Sequence, residues 1–319
     1  MTWGVHTRKI VLPGTPVGQS SLTCGIGLLV VVLLLSSCTE GRHSGFEKES
    51  IPAGWEFYRL GEFDKAVEVF RNISGMVGPE EKDLAAQALF GEASCWHYRR
   101  DGRDTSRAAA LYHSLIKLAP EHPLVPWSEL AKVRIHHFGQ IEPKPDYDAL
   151  AREYAEVYGH YPFHLAGQEA FVNRFFILLY DPSPEVARQY LPELKEFLTR
   201  NPESPFQSAV CKLIASCYSA LKEPEESLAW LIRALETREL DQSNPNTNNS
   251  GPYWSIARAA EYEAGNFECA RLYYQRLINE YPKDQRIYEA KRALRRMKNV
   301  EDIVRRGGDP SSSSGEPGS

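Results

Sequence analysis

The stretch Gly251-Pro-Tyr-Trp-Ser-Ile-Ala-Arg-Ala-Ala-Glu-Tyr-Glu-Ala-Gly-Asn-Phe-Glu-Cys-Ala-Arg-Leu-Tyr-Tyr-Gln-Arg-Leu-Ile-Asn-Glu-Tyr-Pro282 decides the fold. Apolar residues recur at helical spacing on both sides of Gly265, around Trp254 and then through Phe267, Ala270, Tyr274 and Leu277. Gly265 supplies a turn with backbone angles that other residues avoid, and Pro282 stops the second helix. The unit is therefore expected to be two antiparallel helices. Ala270 is small enough to let the two approach closely. Tyr274, four residues on and on the same face, fills the gap toward the next hairpin.

The skeleton repeats along the chain. Gly61, Phe63, Ala66, Phe70 and Ile73 match Gly265 through Leu277 position for position. Ala108, Tyr112, Leu115 and Pro120 match the second half, with Gly102 displaced by one residue. Tyr147, Leu150, Tyr154, Val157 and Pro162 do so again, after Trp127, Leu130, Ala131 and a longer turn. Ile214, Ala215, Tyr218, Leu231 and Ala234 mark a weaker copy, and 165–179 with 184–199 keeps the helices but loses the motif. A generic bundle also places apolar residues at i, i+3 and i+4. It does not place proline at the same distance after several copies of Ala-x-x-x-aromatic. No single hairpin can bury its apolar face alone, so neighbours stack.

Length and order resemble the tetratricopeptide repeat (TPR). Ala257 and Arg258 stand where that family has Leu-Gly, and Tyr262 falls one residue late. The resemblance implies an all-α, right-handed superhelical solenoid of about six TPR-like hairpins over 50–300, with 284–297 as a closing helix. The first helices of the repeats would line a concave face for a peptide or a partner's helix. Trp55, Tyr58, Lys212, Ser216, Ser219 and Tyr262 are the candidate lining residues, with Trp55 and Tyr58 equally suited to the core.

The first forty residues follow another logic. Arg8 and Lys9 precede any acid, the run 25–35 is wholly apolar or glycine, and Ser36-Ser37-Cys38 follows. This is the order of a secretory signal; a membrane span needs about 20 apolar residues. Leu35-Ser36-Ser37-Cys38 resembles the lipobox of bacterial lipoproteins. The resemblance implies diacylglycerol on the Cys38 sulfur, cleavage before Cys38 and acylation of the new amino group. More than one acyl chain is what stable anchoring requires. Residues 1–37 would then be a signal peptide and 38–49 the lipidated cysteine and a tether. Thr39, where aspartate would favour the inner membrane, points to the outer membrane, facing the periplasm. The segment 301–319, rich in Gly, Ser and Pro, is expected to be disordered.

Chemistry is sparse. The net charge of −5 argues against a nucleic-acid partner, which needs a basic face. No nucleophile elbow, P-loop, dinucleotide fingerprint or zinc-protease motif occurs, so neither an enzyme nor a cofactor is expected. His160 and His164 have an i, i+4 spacing, but Pro162 interrupts the helix and a metal needs more ligands. Cys95, Cys211, Cys217 and Cys269 lie in apolar helical patterns and read as small hydrophobes, with a disulfide left open. The helix endings 115–123 and 277–284 resemble those of the TPR lipoprotein family of the outer-membrane β-barrel assembly machinery, and of the periplasmic TPR protein that works with the Tol-Pal system. The resemblance implies a scaffold for protein or peptide partners in the envelope. The alternatives are an accessory to an envelope enzyme and a capture protein for a secreted polymer or peptide.

Overall fold

Short polar residues ahead of the apolar stripes start the helices. Ser50, Asp104, Asp146, His164, Ser183 and Asn266 each accept a hydrogen bond from a backbone N–H in the first turn of the helix that follows. Pro52, Pro184 and Pro224 sit at first-turn positions, where their missing N–H costs nothing. A computed structural model of the chain describes residues 50–78, 80–99, 102–139, 146–238, 240 and 247–305. Contacts divide the chain into Met1–Phe46 and Glu47–Ser319, and the described residues belong to the second unit. The expected signal, Cys38, the tether and 306–319 lie outside them.

The described residues form thirteen helices and no strand: α1 (Ile51–Arg59), α2 (Phe63–Met76), α3 (Lys82–Tyr98), α4 (Thr105–Leu118), α5 (Val125–Gly139), α6 (Tyr147–His160), α7 (Leu165–Leu178), α8 (Pro184–Arg200), α9 (Gln207–Ala220), α10 (Pro224–Glu236), α11 (Ser250–Tyr262), α12 (Phe267–Glu280) and α13 (Ile287–Arg305). None is long and apolar enough to cross a membrane. They pair as six hairpins with α13 closing the series. Packing runs between successive helices and between the odd helices α1 and α3, α5 and α7, and α7 and α9. That pattern is a solenoid of helical hairpins.

The closing helix differs from its expected bounds. It begins at Ile287 because Asp284 accepts hydrogen bonds from the Arg286 backbone N–H (2.9 Å) and guanidinium (2.8 and 2.6 Å), fixing a turn first. It continues to Arg305 because the apolar spacing of Ala293 and Met297 carries on through Val300 and Val304.

The core sits between helices of the same and adjoining hairpins. Ala66, Ala108 and Ala270 are fully buried, and Phe70, Tyr112, Tyr154 and Tyr274 are at most 1 % exposed. Phe70 of α2 wedges between α1 and α3. A Cβ added to Gly54 or to Gly91 would lie 2.5 Å from the Phe70 ring. The Glu92 carboxylate, on α3, accepts from Arg71 of α2 (2.9 Å) and Arg107 of α4 (3.1 Å) and ties the first two hairpins together. In the fourth hairpin α7 and α8 approach less closely than the helices of the other five. Leu194, eight residues before Pro202, replaces the motif's aromatic residue there, and Phe171 of α7 stacks on Phe197 of α8 at 4.4 Å to fill the space.

Gly61, Gly102 and Gly265 turn the first, second and sixth hairpins with positive φ; the fifth uses Lys222 at φ 62°. A side chain in that conformation costs roughly 1–2 kcal/mol. Lys222→Gly should therefore raise stability by up to about 1 kcal/mol, after glycine's own entropy cost. Gly91→Ala should lower it by about 1–3 kcal/mol through overpacking on Phe70. Urea midpoints of the two variants measure both effects, and a neutral Gly91→Ala would contradict the wedge.

Candidate protein-binding face

On α9 the apolar side is spent on the core: Val210, Leu213, Ile214 and Cys217 are buried. The opposite stripe, Lys212, Ser216 and Ser219, is exposed at i, i+4 and i+7 spacing. Ser216 Oγ donates to the Lys212 carbonyl at 3.1 Å. Tyr262 ends α11 and is 60 % exposed. The Arg258 and Arg296 guanidiniums lie 5.4 and 5.5 Å from its ring centre, and Arg296 Nη2 donates to its hydroxyl at 2.6 Å. Four of the six sequence candidates thus stand open on odd helices.

The other two do packing work. Trp55 meets Phe70 edge-on at 5.2 Å and Phe90 at 6.3 Å. Tyr58 meets Phe63 edge-on at 5.3 Å, and burial raises its hydroxyl pKa well above the ordinary range. Both are half-buried on the edge of the first core cluster.

Sequence reasoning missed the polar tie that holds the middle odd helices. Arg134 of α5 hydrogen-bonds Tyr98 at the end of α3 and pairs with Glu169 of α7. Burial opposes the arginine's charge, but Glu169 and Tyr98 outweigh it and raise its pKa. Nothing in the sequence flags an Arg and a Glu separated by 35 positions. Beside Tyr98 lies His97, 7 % exposed, whose Nδ1 has no hydrogen-bond partner among the described residues. Burial, then the charges of Arg134 and Arg103, push its pKa down to about 3.

Other candidates resolve into structural roles. His164 caps α7, accepting from the Ala166 N–H at 3.1 Å, and His160 lies 3.7 Å from Glu129. Among the described residues no group of three or more His, Cys, Asp or Glu could hold a metal. His136 pairs with Glu153 at 2.8 Å, and His137 stacks on Phe138 within reach of the Tyr154 hydroxyl. Cys95, Cys211 and Cys217 are buried and Cys269 half-buried, all as free thiols. Burial pushes Cys95 up to about 12 and Cys217 to about 11, which keeps both protonated and unreactive. Ahead of α11, Asn248 Oδ1 accepts from the Ser250 N–H and hydroxyl, and Arg286 donates to Ser250 Oγ at 2.9 Å. A cleft of about 760 Å³ opens between the α1–α2 turn and the end of α3, where Arg99 pairs with Asp64 at 2.9 Å.

The tetratricopeptide repeat family model matches residues 253–284, the stretch with the clearest motif. No curated protein matches the chain in sequence. Among solved structures the chain is similar to the assembly chaperone of RpL4 (Acl4), residues 1–338, over 81 % of this chain and 99 % of that one. The TM-score is 0.51 and the identity 16 %, so the likeness is one of fold. One segment of the chain thus matches the tetratricopeptide repeat model, within an all-helical array whose fold is shared with a solved helical chaperone.

His97 gives the fold a pH dependence of known sign. Its pKa is lower folded than unfolded, so its contribution is complete above about pH 6.5 and is lost as pH falls toward the folded value. At about pH 5 the loss should approach 2 kcal/mol. His97→Phe should remove that part of the slope in denaturation measured across pH. An unchanged slope would show that His97 does not titrate in the folded chain's interior.

Proposed function

We propose that this chain is a lipid-anchored TPR scaffold of the bacterial cell envelope, held by Cys38 and facing the periplasm from the outer membrane. It binds protein or peptide partners along its odd helices and serves in outer-membrane protein assembly. The observation that carries the binding role is the open stripe of Lys212, Ser216 and Ser219 on α9, with exposed Tyr262 ending α11, on helices whose other sides are committed to the core. Open hydrogen-bonding side chains and an exposed aromatic on the odd helices suit an extended peptide or a partner helix. The fold shared with an assembly chaperone supports a client-holding role. The anchor rests on the sequence 35–38 and its apolar run, and the assembly role on the helix endings 115–123 and 277–284.

Two experiments test this reading. Cys38→Ala should move the protein out of the membrane fraction while its helical circular dichroism stays unchanged. Retention in the membrane would overturn the lipid anchor. A photo-crosslinker at Ser216, followed in cells by purification of the chain, should recover subunits of the barrel-assembly machinery. Recovery of other envelope proteins would keep the scaffold and remove the assembly role; recovery of none would remove the binding role from this face.

A further inference from the structure

α13 gives one side to the core through Ala290, Ala293 and Met297. On its opposite side Lys291, Arg295 and Lys298 are exposed at i, i+4 and i+7 spacing, a row about 10 Å long. Tyr288, 65 % exposed, stands at the head of the row. None of the three cations has a carboxylate partner among the described residues, and half-buried Asp302, one turn further, pairs with none of them. Two other cations of the helix are spent locally: Arg292 on Glu289 at 3.3 Å and Arg296 on Glu261.

Other outer faces are balanced in sign. α8 sets Arg188 beside Glu185 and Arg200 beside Glu196. α13 carries six Lys and Arg against three Asp and Glu, in a chain whose net charge is −5. A helix that only capped the array would need a polar outer face, and mixed signs supply one. A row of unopposed cations does more, because its field draws anions to one side of the molecule.

The shape of the face selects the occupant. The clefts at the α1–α2 and α11–α12 turns are lined by other residues. Apart from Tyr288 the row offers no exposed apolar side chain. A protein partner would therefore find neither the pocket nor the apolar anchor that carries most of the energy of such interfaces. A second copy would bring the same cations, and the chain's own segment 306–319 has two acids, Asp309 and Glu316, with Arg306 against them. A flat anionic surface needs no pocket, only cations in one row, and an exposed tyrosine suits the headgroup level.

We propose that the outer face of α13 rests on an anionic bilayer, Lys291, Arg295 and Lys298 pairing with the phosphates of its headgroups. The inference rests on the membrane-anchored reading above, in which Cys38 brings the chain to a bilayer, and adds an electrostatic contact at the last helix of the array. Purified full chain carrying Cys38→Ala, which has no acyl group, tests it by co-sedimentation with two kinds of vesicle. One is phosphatidylcholine alone; the other is an equal mixture with phosphatidylglycerol. The chain should bind the mixed vesicles and not the neutral ones. Replacing Lys291, Arg295 and Lys298 together by Gln should weaken that binding about a hundredfold, with helical circular dichroism unchanged. Arg295→Lys, which keeps the charge, should bind as its parent does.

Equal binding to both vesicles, or binding that survives the triple replacement, would overturn the proposal. Tighter binding to polyglutamate than to the mixed vesicles would assign the face to an acidic protein and overturn it as well. So would a salt-sensitive oligomer that the triple replacement abolishes, which would assign the face to a second copy. High salt screens such a contact, so salt-washed cell membranes still report on Cys38 alone and the two readings fail separately.

Discussion

Everything in this array depends on one packing constraint: an aromatic side chain from the second helix of a hairpin must fit between two first helices. Phe70 shows its terms most openly. Its ring occupies space that exists because Gly54 and Gly91, on the two flanking helices, have no side chain. Tyr274 meets a related demand differently, meeting Trp254 edge-on at 5.7 Å and donating its hydroxyl to Glu261. Because the wedge binds one hairpin to the next and to nothing more distant, order spreads along the chain from neighbour to neighbour. The odd helices are pulled into one layer, and that layer is where residues remain for contact with other molecules.

The repeats were legible because the wedge leaves a signature in sequence. An aromatic four positions after a small residue marks Ala66, Ala108 and Ala270, and a proline at fixed distance follows the last two. The Ala66, Ala108 and Ala270 positions found this way are the fully buried ones. Hairpin count and the place of the closing helix followed from the same spacing. The limits of that helix did not, because its start is set by Asp284 holding Arg286 and not by an apolar periodicity. The fourth hairpin was legible only as helices, since its filling comes from Phe171 on the opposite helix.

The candidate face was read less well, for a physical reason. Exposure on α9 follows from which side is apolar, so Lys212, Ser216 and Ser219 could be placed by spacing alone. Trp55 and Tyr58 could not, because an aromatic residue near a hairpin's turn can lie against its neighbours or stand clear of them. Phe63 and Phe90, from other helices, decide it. Long-range polar ties are harder still. The Tyr98–Arg134–Glu169 tie and the Glu92 junction join residues with no common pattern, and a charge that is buried in the fold looks like any surface charge in the sequence. Removing one member of such a tie leaves its partner uncompensated, so these groups enforce a particular arrangement more than they add net stability.

The fourth hairpin has a mechanical consequence. The two helices of the other hairpins approach more closely, whereas α7 and α8 are joined through side chains: Phe171 stacked on Phe197, Arg174 paired with Glu193 at 2.5 Å, and Gln168 donating to Asn201 at 3.2 Å. With fewer close contacts to break, this is the hairpin that opens most easily. A load applied to one end of the array, by a tether or by a bound client under tension, would be taken up first at this seam. The chain would then behave as two stiff segments joined by a shock absorber, yielding in its middle while its ends keep their grip.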